Sequence, residues 1–256
     1  MAQPIITISK IFLLMAASAI VPISCGVIKN DSLSSGQIME DVISLDQAIF
    51  NNDRKQIIDI FIRKYRDNRF SLVNAYNKRF REGLTVNFQQ GITHDFANLM
   101  AVLAIDPLDY NVIEIFRTWD GFYDLDYSAF PEILPFHNIT SIIAKYRSIY
   151  RYVMSLELRE LTHPGVTRSE KLLSYLSKGY TEGFPKDQSQ YYADLLPVQI
   201  NNPRHFTRLI VLSLNDGILD RVKESYEQSH LESIENLLNR ISEKYYREAV
   251  LAIFNI

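Results

Sequence analysis

In the stretch WDGFYDLD, three carboxylates (Asp120, Asp124 and Asp126) fall within seven residues around Gly121. Carboxylate oxygens so spaced suit a hard cation such as Ca²⁺, which takes six to eight oxygen ligands. The same residues also suit a solvated acidic turn that caps the helix after it. A second group is basic. FIRKYRDNRF and NKRFRE bring Arg63, Lys64, Arg66, Arg69, Lys78, Arg79 and Arg81 close together in sequence. These cations can meet anionic lipid or a glycan through charge, at about 1 kcal/mol each near a charged surface. They also fit as solvated cations at helix C-termini, where the macrodipole favours them. Asn30 and Asn138 each open an Asn-x-Ser/Thr sequon, a glycan acceptor in a eukaryotic secretory pathway; Asn138 is equally placed to cap a helix. Catalytic signatures are missing: no Gly-x-Ser-x-Gly, no His-Glu-x-x-His and no phosphate-cradling glycine loop. The five histidines, at 94, 137, 163, 205 and 230, lack ligand spacing. The chain therefore reads as no enzyme, with weak calcium as the one cofactor to weigh. Trp119, just before the acidic turn, reads as a core residue rather than a lipid anchor.

These residues need elements to position them, and the elements are helical. Of 256 residues 47% are hydrophobic, with only nine Gly and nine Pro, which favours long regular elements around a sizeable core. A net charge of −3 gives no reason to expect nucleic acid as a partner. Residues 1–26 stand apart: Lys10, the apolar run IFLLMAASAIVPI and the small residues Ser24, Cys25 and Gly26 read as a secretory signal peptide cleaved near Gly26. Cleavage removes the only cysteine, so a secreted chain would rest on core packing without disulfides. Residues 27–40 read as a flexible lead.

From Asp41 onward the 3.6-residue period dominates, in segments of about 10 to 14 residues with no alternating strand. The segments recur. Leu72-Tyr76-Phe80, Ile142-Tyr146-Tyr150 and Val222-Tyr226-His230 each form an i, i+4, i+8 ridge around a tyrosine. A second ridge follows: Phe96, Leu99, Met100, Leu103 in the first unit and Tyr246, Ala249, Val250, Ile253 in the third, both starting at the same offset from their tyrosine. The middle set is Ser169, Leu172, Leu173, Leu176. Such spacing marks the buried face of a helix, and its recurrence predicts a structural repeat over 41–105, 106–180 and 181–256.

On those residues a resemblance stands out. Gln56 to Ile105, through IIDIF, LVNAY, GLTVNF, THDF and LMAVLAI, resembles an annexin repeat from its second helix to its fifth without a gap. NDGILDRVKESY, SIENLL and YYREAVLAIFNI resemble the family again, the last as a terminal repeat. The middle unit matches at its ends, DPLDYNVIEIFRTWDGF and EKLLSYLSKG, with small gaps between. The resemblance implies an all-α, annexin-like array of about five-helix repeats, here three where the family has four. It also implies calcium-dependent binding to anionic phospholipid. In that family Gly-x-Gly-Thr, between a repeat's first two helices, turns carbonyls onto Ca²⁺, and a carboxylate well downstream completes the site. Here Ile49, Phe50, Asn51 and Asn52 of AIFNND occupy the loop position, and Gly91 occupies the carboxylate position. In the third unit the loop falls near VQINNP (198–203) and the carboxylate position at Ile241. Both halves are therefore absent in two units, and the middle unit keeps Gly121 with a displaced carboxylate near Glu160. The expectation is a secreted module on anionic membranes whose calcium dependence is weak or lost. The alternative is a secreted non-catalytic scaffold with a protein partner. Oligomerisation is left open.

Overall fold

The structure is a computed structural model, described here for residues 35–92, 94–120, 128–138, 141–142, 144–145 and 187–256, with 35 and 116–120 as backbone only. Among the described residues there is helix and turn and no strand. The chain divides into two compact units: Gly26–Pro107 with Asp187–Ile256, and Leu108–Lys186 with the N-terminal segment.

In the first compact unit, α1 (Ser35–Phe50) begins before the predicted start at Asp41. The period of Val42, Leu45, Ala48 and Ile49, all buried, runs back through half-buried Ile38 into what reads as flexible lead. Asn52 takes φ +53 in the bend after α1, a left-handed conformation that Asn tolerates better than most residues. Asp53 then caps α2 (Arg54–Ile57), its carboxylate accepting from Gln56 N at 3.0 Å. The helix continues as a π segment, Ile58–Lys64, an uncommon winding with no sequence signal here. α3 (Arg69–Arg79), α4 (Leu84–Gly91) and α5 (His94–Leu103) complete five helical elements. The last repeat has the same order: α8 (Gln188–Gln199), α9 (Pro203–Asn215), α10 (Leu219–His230), α11 (Ile234–Leu238) and α12 (Lys244–Ile253). Asp187, Asn202, Ser233 and Glu243 cap α8, α9, α11 and α12 with side-chain oxygens. The two repeats pack together through α5 on α9 and through α12 on both α5 and the π segment.

Both predicted ridges bury in the first and last units, whereas Tyr146 and Tyr150 of the middle ridge lie outside the described residues. Leu72, Tyr76, Val222 and Tyr226 line the core, as do Phe96, Leu99, Met100, Leu103, Tyr246, Ala249, Val250 and Ile253. Third members of the tyrosine ridges pack instead at its edge, with ring centroids 4.6 Å apart in both pairs, Tyr76–Phe80 tilted at 45° and Tyr226–His230 stacked at 16°. Each tyrosine hydroxyl also donates to a carboxylate: Tyr76 to Asp46 of α1, Tyr226 to Glu232 at 2.9 Å. Asn87 of α4 donates to the Tyr76 hydroxyl at 2.8 Å, so one oxygen ties three helices.

These hydroxyls set an alkaline limit on stability. Burial first, and then the facing carboxylate, raises the phenols of Tyr65 (beside Asp41) and Tyr76, and takes Tyr226 up to about 12. Burial raises Tyr246 as well. A phenol whose folded value lies above its unfolded value of about 10 stabilises fully below pH 10, and that contribution is lost as pH climbs toward the folded value. Arg69, lowered by burial to about 10, acts in the opposite sense between 10 and 12.5, but one arginine opposes four phenols. The unfolding midpoint should fall steadily above pH 10, with phenolate absorbance from these tyrosines emerging only as near-ultraviolet dichroism collapses. All 15 tyrosines ionising near pH 10 with the fold intact would contradict this.

α10 ends at Leu231, with φ +53 and 93% of its surface exposed. A left-handed, solvated leucine where glycine is the usual helix terminator stores backbone strain. Leu231→Gly should stabilise by about 0.5–1 kcal/mol after the extra unfolded-state entropy of glycine is deducted, readable as a raised denaturant midpoint.

In the other unit, α6 (Pro107–Asp120) and α7 (Ala129–Ile133) are described. Lys145 pairs with Asp109 at 2.6 Å. Asn138 caps the backbone after α7, its Oδ1 accepting from Ser141 N at 3.1 Å.

Candidate functional site

The site to examine is the junction between each repeat's first and second helices. In the first repeat Ile49 turns inward, 5% exposed, while Phe50 turns out at 89%. Gly91, the last residue of α4, lies directly beneath. A Cβ built on it would stand 2.9 Å from Ile49 Cγ2 and 3.5 Å from the Ile49 carbonyl oxygen. The loop position and the carboxylate position of the sequence comparison therefore do meet in space, but an isoleucine methyl group fills the gap between them. A side chain at 91 has no room there unless Ile49 shifts.

The last repeat repeats the pattern more loosely. The α8–α9 junction spans Ile200–Asn202 and is closed by the Asn202 cap on His205 N, 3.3 Å. Val198, in the last turn of α8, is 69% exposed, and Ile241 is buried at 7%. The Ile241 carbonyl is engaged by Arg247 Nη1 at 2.8 Å.

The two junctions lie at one end of their shared unit. Arg54, which opens α2, reaches Glu243, which caps α12, at 3.6 Å. Its guanidinium lies 4.9 Å from the Tyr245 ring centre and 6.0 Å from that of Phe96, near the start of α5. Tyr246 Oη, in the first turn of α12, contacts Thr207 Oγ1 at 2.8 Å and donates to the Pro203 carbonyl, at the start of α9, at 3.3 Å. The beginnings of α2, α5, α9 and α12 therefore gather at one face. Asp53, Asn202 and Glu243 already occupy first-turn amides there. Phe50 and Val198 belong to the two helix ends that lead into this face, next to the uncharged Asn51, Asn52 and Gln199.

The basic group does not belong to that face. Arg63, Lys64 and Arg66 end or follow the π segment, about 15 Å along the helix from Arg54. Arg63 pairs with Asp59 on the surface, and Lys64 pairs with Asp41 at 2.7 Å. Arg69 is 7% exposed and structural. Its Nε donates to the Leu103 carbonyl at 3.1 Å, its Nη1 to the Arg66 carbonyl at 3.3 Å and its Nη2 to Asn215 Oδ1 of the other repeat. Arg69 is thus no lipid contact, and Arg66 is mostly covered. Lys78 and Arg79 are exposed, as is Arg81, with Arg79 lying over the Phe80 ring at 5.8 Å. Of the acidic turn, Asp120 ends α6, while Gly121, Asp124, Asp126 and Glu160 lie outside the described residues, as do Asn30, Ser169, Leu172, Leu173 and Leu176. Among the described residues no group of three or more His, Cys, Asp or Glu is placed to hold a metal.

Phe50, which the sequence marks only as a loop residue, gains its interest from its exposure. The signal was present: it falls one residue past Ile49, off the stripe of Val42, Leu45, Ala48 and Ile49, where an apolar side chain has nothing to bury against.

Compared with solved structures, the chain matches chicken annexin V in complex with Zn²⁺, with a TM-score of 0.62 across 86% of this chain and 96% of that one. The chain has an annexin-like fold. Identity in that match is 12%, so the likeness is one of architecture. Annexin III matches over 88% of this chain and 71% of its own, at 20% identity and a TM-score of 0.45. No protein-family profile matches the sequence, and no curated protein does either.

Proposed function

We propose that this annexin-like protein is a secreted, non-catalytic module that associates with anionic phospholipid membranes without a calcium bridge at its first junction. The observation that carries this reading is the packing of Ile49 on Gly91 with Phe50 turned outward. Where an annexin-type site would offer oxygens to a cation, this chain offers a closed apolar contact and an exposed aromatic ring. An aromatic side chain and a valine at one end of a rigid unit suit the lipid–water boundary, where amphipathic and apolar side chains partition. Among the described residues no helix is long and apolar enough to cross a membrane.

The test pairs Phe50→Ser with Val198→Ser and measures sedimentation with phosphatidylserine vesicles. Both side chains are exposed, so the melting temperature should hold within about 2 °C while the bound fraction drops at least fivefold. Retention of full binding by the double variant would overturn the junction as the contact. No binding by the unmodified chain under any condition would transfer the function to a protein partner, the scaffold reading.

A further inference from the structure

The membrane reading leaves the two sequons unused, and the one at Asn138, Asn-Ile-Thr, begins on a described surface of the smaller unit. After α7 the chain folds back over the helix end. Phe136 N donates to the Ile133 carbonyl at 3.3 Å, and His137 Nδ1 donates to the same oxygen at 2.8 Å. Asn138 follows and opens the next helical residues. Its carbonyl accepts from Ile142 N at 3.1 Å, and its Oδ1 accepts from Ser141 N at 3.1 Å. Ile142 turns into the core while Asn138 stays exposed. The carboxamide is therefore divided: its oxygen is engaged, and among the described residues no group accepts from its nitrogen.

Glycan transfer to asparagine uses the nitrogen alone. Nδ2 bonds to the anomeric carbon of a sugar carried on a polyprenyl diphosphate; the diphosphate leaves with the electrons of the broken carbon–oxygen bond, and the nitrogen gives up one of its two protons. The amide carbonyl survives, so Oδ1 continues to accept from Ser141 N. A bulky, hydrated glycan also needs a surface position, which Asn138 has. We propose that Asn138 carries an N-linked glycan on Nδ2 while its Oδ1 caps the helical residues from Ser141. Capping and modification use different atoms of one side chain, so neither excludes the other. The site rests on the secreted reading, because acceptor sequons are modified in the secretory pathway.

The test expresses the full chain, with its own N-terminal segment, in a eukaryotic secretory host. Protein from the medium is treated with peptide N-glycosidase in heavy-oxygen water and mapped by mass spectrometry. Position 138 should appear as labelled aspartate. Thr140→Ala keeps the Asn138 cap and should lose both the label at 138 and the mass of one glycan. Asn138→Asp keeps an oxygen for Ser141 N without the acceptor nitrogen, and should melt with the enzymatically deglycosylated chain. Asn138→Ala loses the cap as well and should melt lower. A secreted chain whose residue 138 is unlabelled, or whose whole glycan mass disappears in Asn30→Gln, would overturn the glycan and leave the secreted reading standing. A chain found only in the cytosol would overturn both.

Discussion

Replacing Arg69 with alanine will lower the unfolding free energy by about 3 kcal/mol, one of the two largest single effects expected in this chain. The side chain lies at the meeting of the repeats, and its loss strands the Leu103 carbonyl, the Arg66 carbonyl and Asn215 Oδ1. A buried acceptor left alone costs about 1–3 kcal/mol, and truncation of a large buried side chain leaves a cavity costing about 2–5 kcal/mol. Relief of a buried charge, visible in the lowered Arg69 value, offsets part of the sum. Arg69→Met, which keeps most of the volume and removes the charge, should be milder than Arg69→Ala. Urea denaturation measures both. A loss below about 1 kcal/mol in the alanine variant, less than one stranded acceptor costs, would mean that the guanidinium does not join the repeats.

The second large effect is at Gly91. A methyl group there meets Ile49 Cγ2 at 2.9 Å, closer than packed carbons tolerate. Gly91→Ala should cost about 1–2 kcal/mol by overpacking, although alanine is otherwise the better helix residue. Ile49→Ala should cost about 2–4 kcal/mol as a truncation in the core. The double variant should cost less than the two together by about 1 kcal/mol, because the new methyl at 91 moves into space vacated at 49. Additivity within about 0.3 kcal/mol would show that the two residues do not share a site, and the plugged junction would then have no basis.

Much of this arrangement was legible in the sequence, and the parts that were not share a cause. Helical period alone located the faces carrying Tyr76, Tyr226, Met100 and Val250, because a helix buries what recurs every three to four residues. The meeting of Ile49 with Gly91 was legible only through the resemblance to the annexin repeat, which aligned a loop with a distant helix end. Arg69 was not legible. Its type and its place among six other cations suit a surface patch, and the partner that buries it, Asn215, is 146 residues distant. The π winding of Ile58–Lys64 was hidden for a similar reason, since its apolar run fits an α-helix equally well. Helix α1 began early because the apolar stripe continues through Ile38, which the serines before it obscured.

On the proposed reading, the packing of Ile49 on Gly91 stands where a cation would sit, and membrane association does not depend on calcium. Sedimentation of the chain with phosphatidylserine vesicles, in chelator and in millimolar calcium, tests it most directly. The bound fraction should be the same in both. Binding that appears only with calcium would contradict it, and would direct attention to Asp120, Asp124 and Asp126 as the ligands.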